Sequence, residues 1–269
     1  MKLCERYIVK PGQCFDLAEC DPSDTAGFKN KSSAKKAFNE NVDRLGELQY
    51  LMYAENKRAL LIVLQAMDAG GKDGTIRHVM AGMNPQGCKV TSFKVPSARE
   101  ASHDYLWRIH NSVPAKGEVG IFNRSHYEDV VTVKVKGLVS IDVWSKRFDH
   151  INDFERMLTD NNVHILKFFL NVSKDEQLKR LKRRLKDPRR MWKASEADFE
   201  ERKFWDDYQA AYSEAVARCN TENAPWYIVP SDKKWFRNLV VSKIICETLE
   251  SLEMEFPQTA FDVSKIKVS

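Results

Sequence analysis

Residues 64 to 75 read LQAMDAGGKDGT and continue directly from the apolar run ALLIVL at 59 to 64. A strand, a turn of small residues and a helix opening on lysine form a phosphate cradle. Backbone N–H groups point inward, the helix N-terminus adds partial positive charge, and the lysine bridges phosphate oxygens. The usual Walker A pattern is G-x-x-x-x-G-K-[ST]. Here the register is Ala66-x-x-x-x-Gly71-Lys72-Asp73, with alanine at the first glycine and aspartate at the hydroxyl position, and Thr75 two residues further on. A strand-to-helix turn that merely needs glycine is the competing reading. Acids inside such a turn require a cation between themselves and a phosphate. Asp68 therefore suggests Mg²⁺, or a carboxylate orienting an attacking phosphate oxygen. Asp73, on the first helical turn, also suits the positive end of the helix dipole.

A second cluster lies in GIFNRSHYEDV, residues 120 to 130. Arg124 follows the end of an apolar strand, where it would stabilise charge on a transferring phosphoryl group. Asp129 would hold Mg²⁺ or its waters. A surface Arg–Asp pair is the bland alternative. The third cluster, KRLKRRLKDPRRMWK at 179 to 193, carries nine basic residues and one acid, Asp187. Leu178, Leu181 and Leu185 mark a narrow apolar face on a helix that stops at Asp187-Pro188, and Arg180 and Arg184 share one face. With a second helix over 195 to 216, this segment reads as a lid over phosphates, against the alternatives of a solvated face or a nucleic-acid-binding face.

Alternating elements position these clusters. Apolar runs at 59–65, 88–95, 117–123, 163–172 and 224–231 read as five strands. Helical patterns fall at 32–57, 72–83, 100–113, 140–161 and 232–252. The first has Phe38, Val42, Leu45, Leu48 and Met52 in one stripe and Ser32 or Ser33 as its cap. In the fourth, Trp144, Phe148 and Phe154 are expected in the core, without a part in chemistry. Such alternation implies an α/β fold, a parallel sheet with helices on both faces, and ligands beyond the carboxyl ends of the strands. Residues 1 to 31 read as an irregular leader and 32 to 269 as one domain, with a lid module at about 174 to 216.

The 269 residues suffice for one sizeable core. Net charge is +5, and no stretch is long and apolar enough to span a membrane. The N-terminus has no continuous apolar segment of a secretory signal, so a cytoplasmic location is the default. Six cysteines without C-x-x-C pairs are expected as thiols, and six histidines show no zinc spacing.

Taken together, MDAGGKDGT, FKVPS, FNRSHYEDV, KFFLNVSKDEQLKRLKRRLKDP and APWYIVPSDKKWFRN strongly resemble the polyphosphate kinase 2 family over roughly residues 30 to 255. The chain looks like the short, single-domain form that accepts both nucleoside mono- and diphosphates. The resemblance implies a P-loop kinase fold like that of thymidylate kinase, with a helical lid. It implies Mg²⁺-dependent, reversible transfer of a terminal phosphoryl group from inorganic polyphosphate to adenine or guanine nucleotides, and a homo-oligomer, dimer or tetramer. The family's own loop pattern is A-x-D-A-x-G-K-x-G-T, so the alanine and aspartate are not defects. By matching positions, Ala69, Gly70, Gly71, Lys72, Asp73, Gly74 and Thr75 would hold phosphates. Asp68 would orient the accepting phosphate near a metal, and Asp129 would bind that metal. Arg124, Arg180 and Arg184 would stabilise the transferring group, and Lys94, Asn123 and Glu128 would serve the nucleotide end. Polyphosphate bears about one charge per residue, so a long basic track suits it. An ATP-dependent nucleoside-phosphate kinase is the alternative enzyme. A nucleic-acid-binding module is the alternative outside enzymes, and the acids beside the phosphate loop argue against it.

Overall fold

The computed structural model describes residues 3–260. Its helices are α1 (Leu3–Tyr7), α2 (Lys31–Glu55), α3 (Lys72–Val79), α4 (Ala98–Ala101), α5 (Trp107–His110), α6 (Glu128–Val135), α7 (Ile141–Trp144), α8 (Arg147–Asp160), α9 (Lys174–Lys186), α10 (Pro188–Met191), α11 (Glu196–Glu201), α12 (Trp205–Arg218) and α13 (Lys234–Ser251). The strands are β1 (Ala59–Gln65), β2 (Cys88–Ser92), β3 (Val119–Asn123), β4 (Val163–Asn171) and β5 (Trp226–Pro230). All pair in parallel, in the order β2-β3-β1-β4-β5. β1 thus has a neighbour on each side, and the loop that leaves it stands at the middle of the sheet's carboxyl edge.

Period-two alternation explains why β1 is apolar without interruption. Leu61 and Val63 join Phe122, Ile165 and Phe169 in a layer with α6, α8 and α12. Leu60, Ile62 and Leu64 face the opposite layer of α2, α3 and α13. Phe148 and Phe154 are buried in the first layer, and Trp144 packs against it half-buried, as expected of core residues. β2 is an edge strand, exposed at Lys89, Val90 and Ser92. At the other edge, Val9 N donates to Trp226 O (2.9 Å) and Ile8 bridges Tyr227 antiparallel, so the N-terminal segment covers β5.

Several elements differ from their sequence reading. The cap of α2 is Asn30, whose side chain accepts from Ser33 N, while Ser33 closes the capping box. The pattern at 100–113 breaks into α4 and α5, and that at 140–161 into α7 and α8. β2 stops at Ser92 rather than 95. α6 was not expected, because EDVVTVKV is rich in β-branched residues, which favour strands. Packing on α12 and two acids at its first turn make it helical.

Candidate active site

The loop after β1 is shaped by backbone conformations that few residues adopt. Ala69 has φ +58° and Gly71 φ +118°. A left-handed alanine costs on the order of 1–3 kcal/mol and persists only where its surroundings impose it. Gly70 has no room for a side chain: a Cβ there would lie 2.5 Å from Ala66 Cβ and 2.8 Å from Met67 O. The result is a concave run of N–H groups ending on the N-terminus of α3, the arrangement that binds anions. Lys72 opens α3, and its Nζ donates to Ala66 O (2.9 Å). Burial, and then Arg124, lower its pKa.

The loop after β3 meets this cradle. Arg124, itself at φ +64°, donates to Asp68 Oδ1 at 2.8 Å. Burial opposes the Arg124 charge, but the Glu128 and Asp68 carboxylates outweigh it and raise the pKa above the usual arginine range. Asn123 Nδ2 donates to Asp73 Oδ1 (3.0 Å), and Lys193 of the 179–193 segment donates to Asp73 Oδ2 (2.6 Å). The Lys193 hydrogen bond is the main reason Asp73 titrates below the ordinary aspartate range. Where the usual pattern has a hydroxyl, this chain has an acid that ties the basic segment to the phosphate loop.

Asp68, Ala69, Gly70, Gly71, Lys72, Asp73, Gly74, Lys94, Asn123, Arg124, Arg180 and Arg184 all line one cavity of about 1490 Å³. Three expected site residues do not. The Thr75 hydroxyl turns back to Gly71 O (3.3 Å), and the residue is wholly buried. Glu128 accepts from Thr132 Oγ1 (2.7 Å) and stands behind Arg124. Asp129 faces Arg147 (3.5 Å) and Arg108 (3.8 Å), the two cations that partner a carboxylate pushed into the α6 layer. Burial raises its pKa despite those arginines. Asp129 therefore sits between two arginines, outside the cavity wall, with its Oδ2 buried and without a hydrogen-bond partner. Among the described residues no group of three or more His, Cys, Asp or Glu side chains could hold an ion unaided.

Arg180 lines the cavity but spends its donors on the protein. It bonds Glu176 (2.9 Å), Ala69 O (3.1 Å), Gly70 O (2.9 Å) and the carbonyls of Ser231 and Asp232. Gln177 Nε2 likewise donates to Asp68 O (2.8 Å). One face of α9 thus braces the loop from behind, which is why its arginine is buried. Arg184, a turn later, reaches the cavity and pairs with Asp198 of α11 at 2.9 Å. Burial, then the nearby Asp68, raise the Asp198 pKa. Sequence reasoning missed Asp198 and Arg237. Only the fold brings Asp198 to the cavity. For Arg237 a signal existed: Lys233, Lys234 and Arg237 crowd the start of α13, where the helix dipole disfavours cations.

The cavity wall holds fourteen lysine and arginine side chains against three aspartates, although the whole chain nets only +5. Its size exceeds the roughly 300–1,000 Å³ of an ordinary ligand pocket, leaving space for two polyanionic substrates. Parallel sheet, phosphate loop after the central strand, and a basic helical segment joined to that loop define a P-loop kinase. The model of one family, described as Polyphosphate kinase 2 (PPK2), matches residues 28–257. The chain is 52% identical to an AMP/ADP-polyphosphate phosphotransferase of Meiothermus ruber, over 98% of this chain and 99% of that protein. It is 43% identical to an ADP-polyphosphate phosphotransferase of Rhodopseudomonas palustris, over 95% and 92%. The crystal structure of Polyphosphate Kinase 2 from Arthrobacter aurescens TC1 superimposes with a TM-score of 0.94 at 43% identity, covering 98% of this chain and 94% of that one. The chain belongs to the polyphosphate kinase 2 family.

Proposed function

We propose that this protein transfers the terminal phosphoryl group of inorganic polyphosphate to AMP and ADP, reversibly and with Mg²⁺. The observation that carries the reading is the Asp68–Arg124 pair, set beside Lys72 at the mouth of a strongly cationic cavity. An accepting nucleotide phosphate is already an anion, so its oxygen attacks the terminal phosphorus without first losing a proton. One phosphoanhydride P–O bond breaks as the new one forms, and the chain leaves one unit shorter. The work left to the protein is positioning and charge neutralisation. Loop N–H groups and Lys72, moving from Ala66 O, hold the phosphates. Arg124 and Arg184, both lining the cavity, would stabilise the charge that develops on the transferring group. Arg180 keeps the loop in shape from behind.

Asp68 would repel both substrates alone. Asp68, whose carboxylate lines the cavity, fits Mg²⁺, which usually binds through one or two carboxylates and completes its shell with phosphate oxygens and water. When bound, Mg²⁺ supplies charge neutralisation between Asp68 and the phosphates. Lys94 and Asn123 suit the nucleotide end. Residues about 174 to 216 act as the lid, with guanine nucleotides as further acceptors, in a dimer or tetramer in the cytoplasm. Six unpaired cysteines agree with that compartment, and among the described residues no helix is long and apolar enough to cross a membrane.

The test is incubation with AMP or ADP, polyphosphate and Mg²⁺ without ATP. Appearance of ATP supports the reading. Phosphorylation that requires ATP as donor makes the protein an ATP-dependent nucleoside-phosphate kinase instead.

A further inference from the structure

Arg237 approaches the phosphate loop at Gly71. It lies in the first turns of α13 and is 2% exposed. Nε and Nη2 both donate to Asn238 Oδ1, at 3.1 and 2.8 Å. Among the described residues it forms no ion pair, and Nη1 has no hydrogen-bond partner. Nη1 occupies the place of a side chain at position 71: a Cβ on Gly71 would fall upon it, and one on Gly74 would lie 3.2 Å from Nη2. Gly71 is therefore glycine both for its φ of +118° and because this guanidinium takes the place of a side chain.

That placement is unfavourable for the protein alone. A buried charge without a counter-ion is costly, and a cation near the N-terminus of an 18-residue helix opposes the dipole. The nearest other charges have the same sign. Arg180 Nη1 lies 3.7 Å from the position a Gly71 Cβ would take. Burial, then Arg180, lower the Arg237 pKa to about 9, still a cation at neutral pH. Lys234 is lowered by burial and by Arg180, Arg183, Arg190 and Arg237. Arg180 is neutralised by Glu176 and loop carbonyls, whereas Arg237 has only an amide oxygen.

We infer that Arg237 is a phosphate-binding residue whose missing counter-charge is a phosphoryl group seated at Gly71–Gly74, belonging either to the polyphosphate chain or to the nucleotide. The inference rests on the reading that this loop holds phosphates. It explains why the closing helix starts with cations and why Gly71 is compelled. It also makes the substrate, rather than a carboxylate, the partner that completes the buried site.

The test compares the parent enzyme with Arg237→Met and Arg237→Lys. Unfolding midpoints are measured alone, with sodium tripolyphosphate and with ADP, together with KM for polyphosphate and for ADP. Arg237→Met is expected to unfold at or above the parent midpoint without ligand, because a desolvated charge has gone. It should lose most of the upward shift given by at least one anion, with the corresponding KM raised roughly 10- to 100-fold, the span of one charged hydrogen bond. Arg237→Lys, which keeps charge but not the fork, should fall between. A rise confined to polyphosphate assigns the donor chain, and one confined to ADP the acceptor. Unchanged ligand shifts and KM values in Arg237→Met overturn the proposal. So does a lower unliganded midpoint with normal KM, which marks a structural residue. If the parent itself is stabilised by neither anion, the failure lies with the phosphate-loop reading rather than with Arg237.

Discussion

Replacing Lys72 by methionine separates catalysis from folding. Methionine keeps an unbranched chain one atom shorter than lysine and fills most of the same space without charge. In the fold the ammonium makes one hydrogen bond, to Ala66 O at 2.9 Å, and its pKa is lowered by burial and Arg124. The lost bond contributes about 1–3 kcal/mol, and relief of a desolvated cation opposes that loss. The two nearly cancel, so unfolding should shift by no more than about 1 kcal/mol, or 2–4 °C for a chain of this size. On the proposed reading, the same ammonium would move to phosphate oxygens in the transition state, in a site closed by the basic segment. Removing one such donor costs about 10²–10³-fold in rate, roughly 2.7–4 kcal/mol. The assay is kcat for ATP formation from ADP at saturating polyphosphate, alongside calorimetric unfolding of the same preparation. The expected result is a kcat lowered at least about a hundredfold with Tm nearly unchanged. A kcat within threefold of the parent, or a loss appearing only as raised KM, would refute a transition-state role for Lys72.

Other outcomes follow from the same geometry. Asp68→Asn should reduce turnover by about two orders of magnitude, whereas Asp129→Asn should keep kcat within about tenfold, since of the two only Asp68 lines the cavity; equal losses would assign Asp129 to the metal as well. Because the folded-state pKa of Asp129 is raised, its contribution to stability is full below the unfolded value and is lost as pH rises through the folded one. Asp129→Asn should therefore be at least as stable as the parent at pH 7, and the difference should shrink on acidification, as Tm measured against pH will reveal. Lys193→Ala breaks a half-exposed pair with Asp73 at 2.6 Å, so a change of about two- to fivefold in KM for polyphosphate is expected, and a hundredfold change would mean direct substrate contact. KM for polyphosphate should climb steeply with ionic strength while kcat stays level, since fourteen cations draw the chain in; a flat profile between about 50 and 300 mM salt would contradict that attraction.

The five strands and the loop after β1 were legible because buried parallel strands leave continuous apolar runs and the cradle needs small residues at fixed spacing. The long helices were readable from their stripes, α2 above all. α6 was hidden by its valines, and the breaks at 102–106 and 145–146 by patterns that stay periodic across a kink. Among site residues, Asp68, Lys72, Arg124 and Arg184 are brought together as their positions suggested. Thr75, Glu128 and Asp129 lie beside these in the chain, yet they do not line the cavity and bond within the protein instead.

Sequence by itself determined the alternation of elements, the phosphate loop, the one-signed segment at 179–193 and the family, since each is written in local spacing. Tertiary structure alone decided the use of each charge. It made Arg180 a brace and left Arg184 facing the cavity, although they lie one turn apart on the same helix. It turned Asp129 towards Arg108 and Arg147, set Asp73 against Lys193 across 120 residues, and buried Arg237 against Gly71 without an acid. The physical reason is that a side chain's type fixes its charge, whereas the strength and partner of that charge depend on burial and on what other elements bring within a few ångströms.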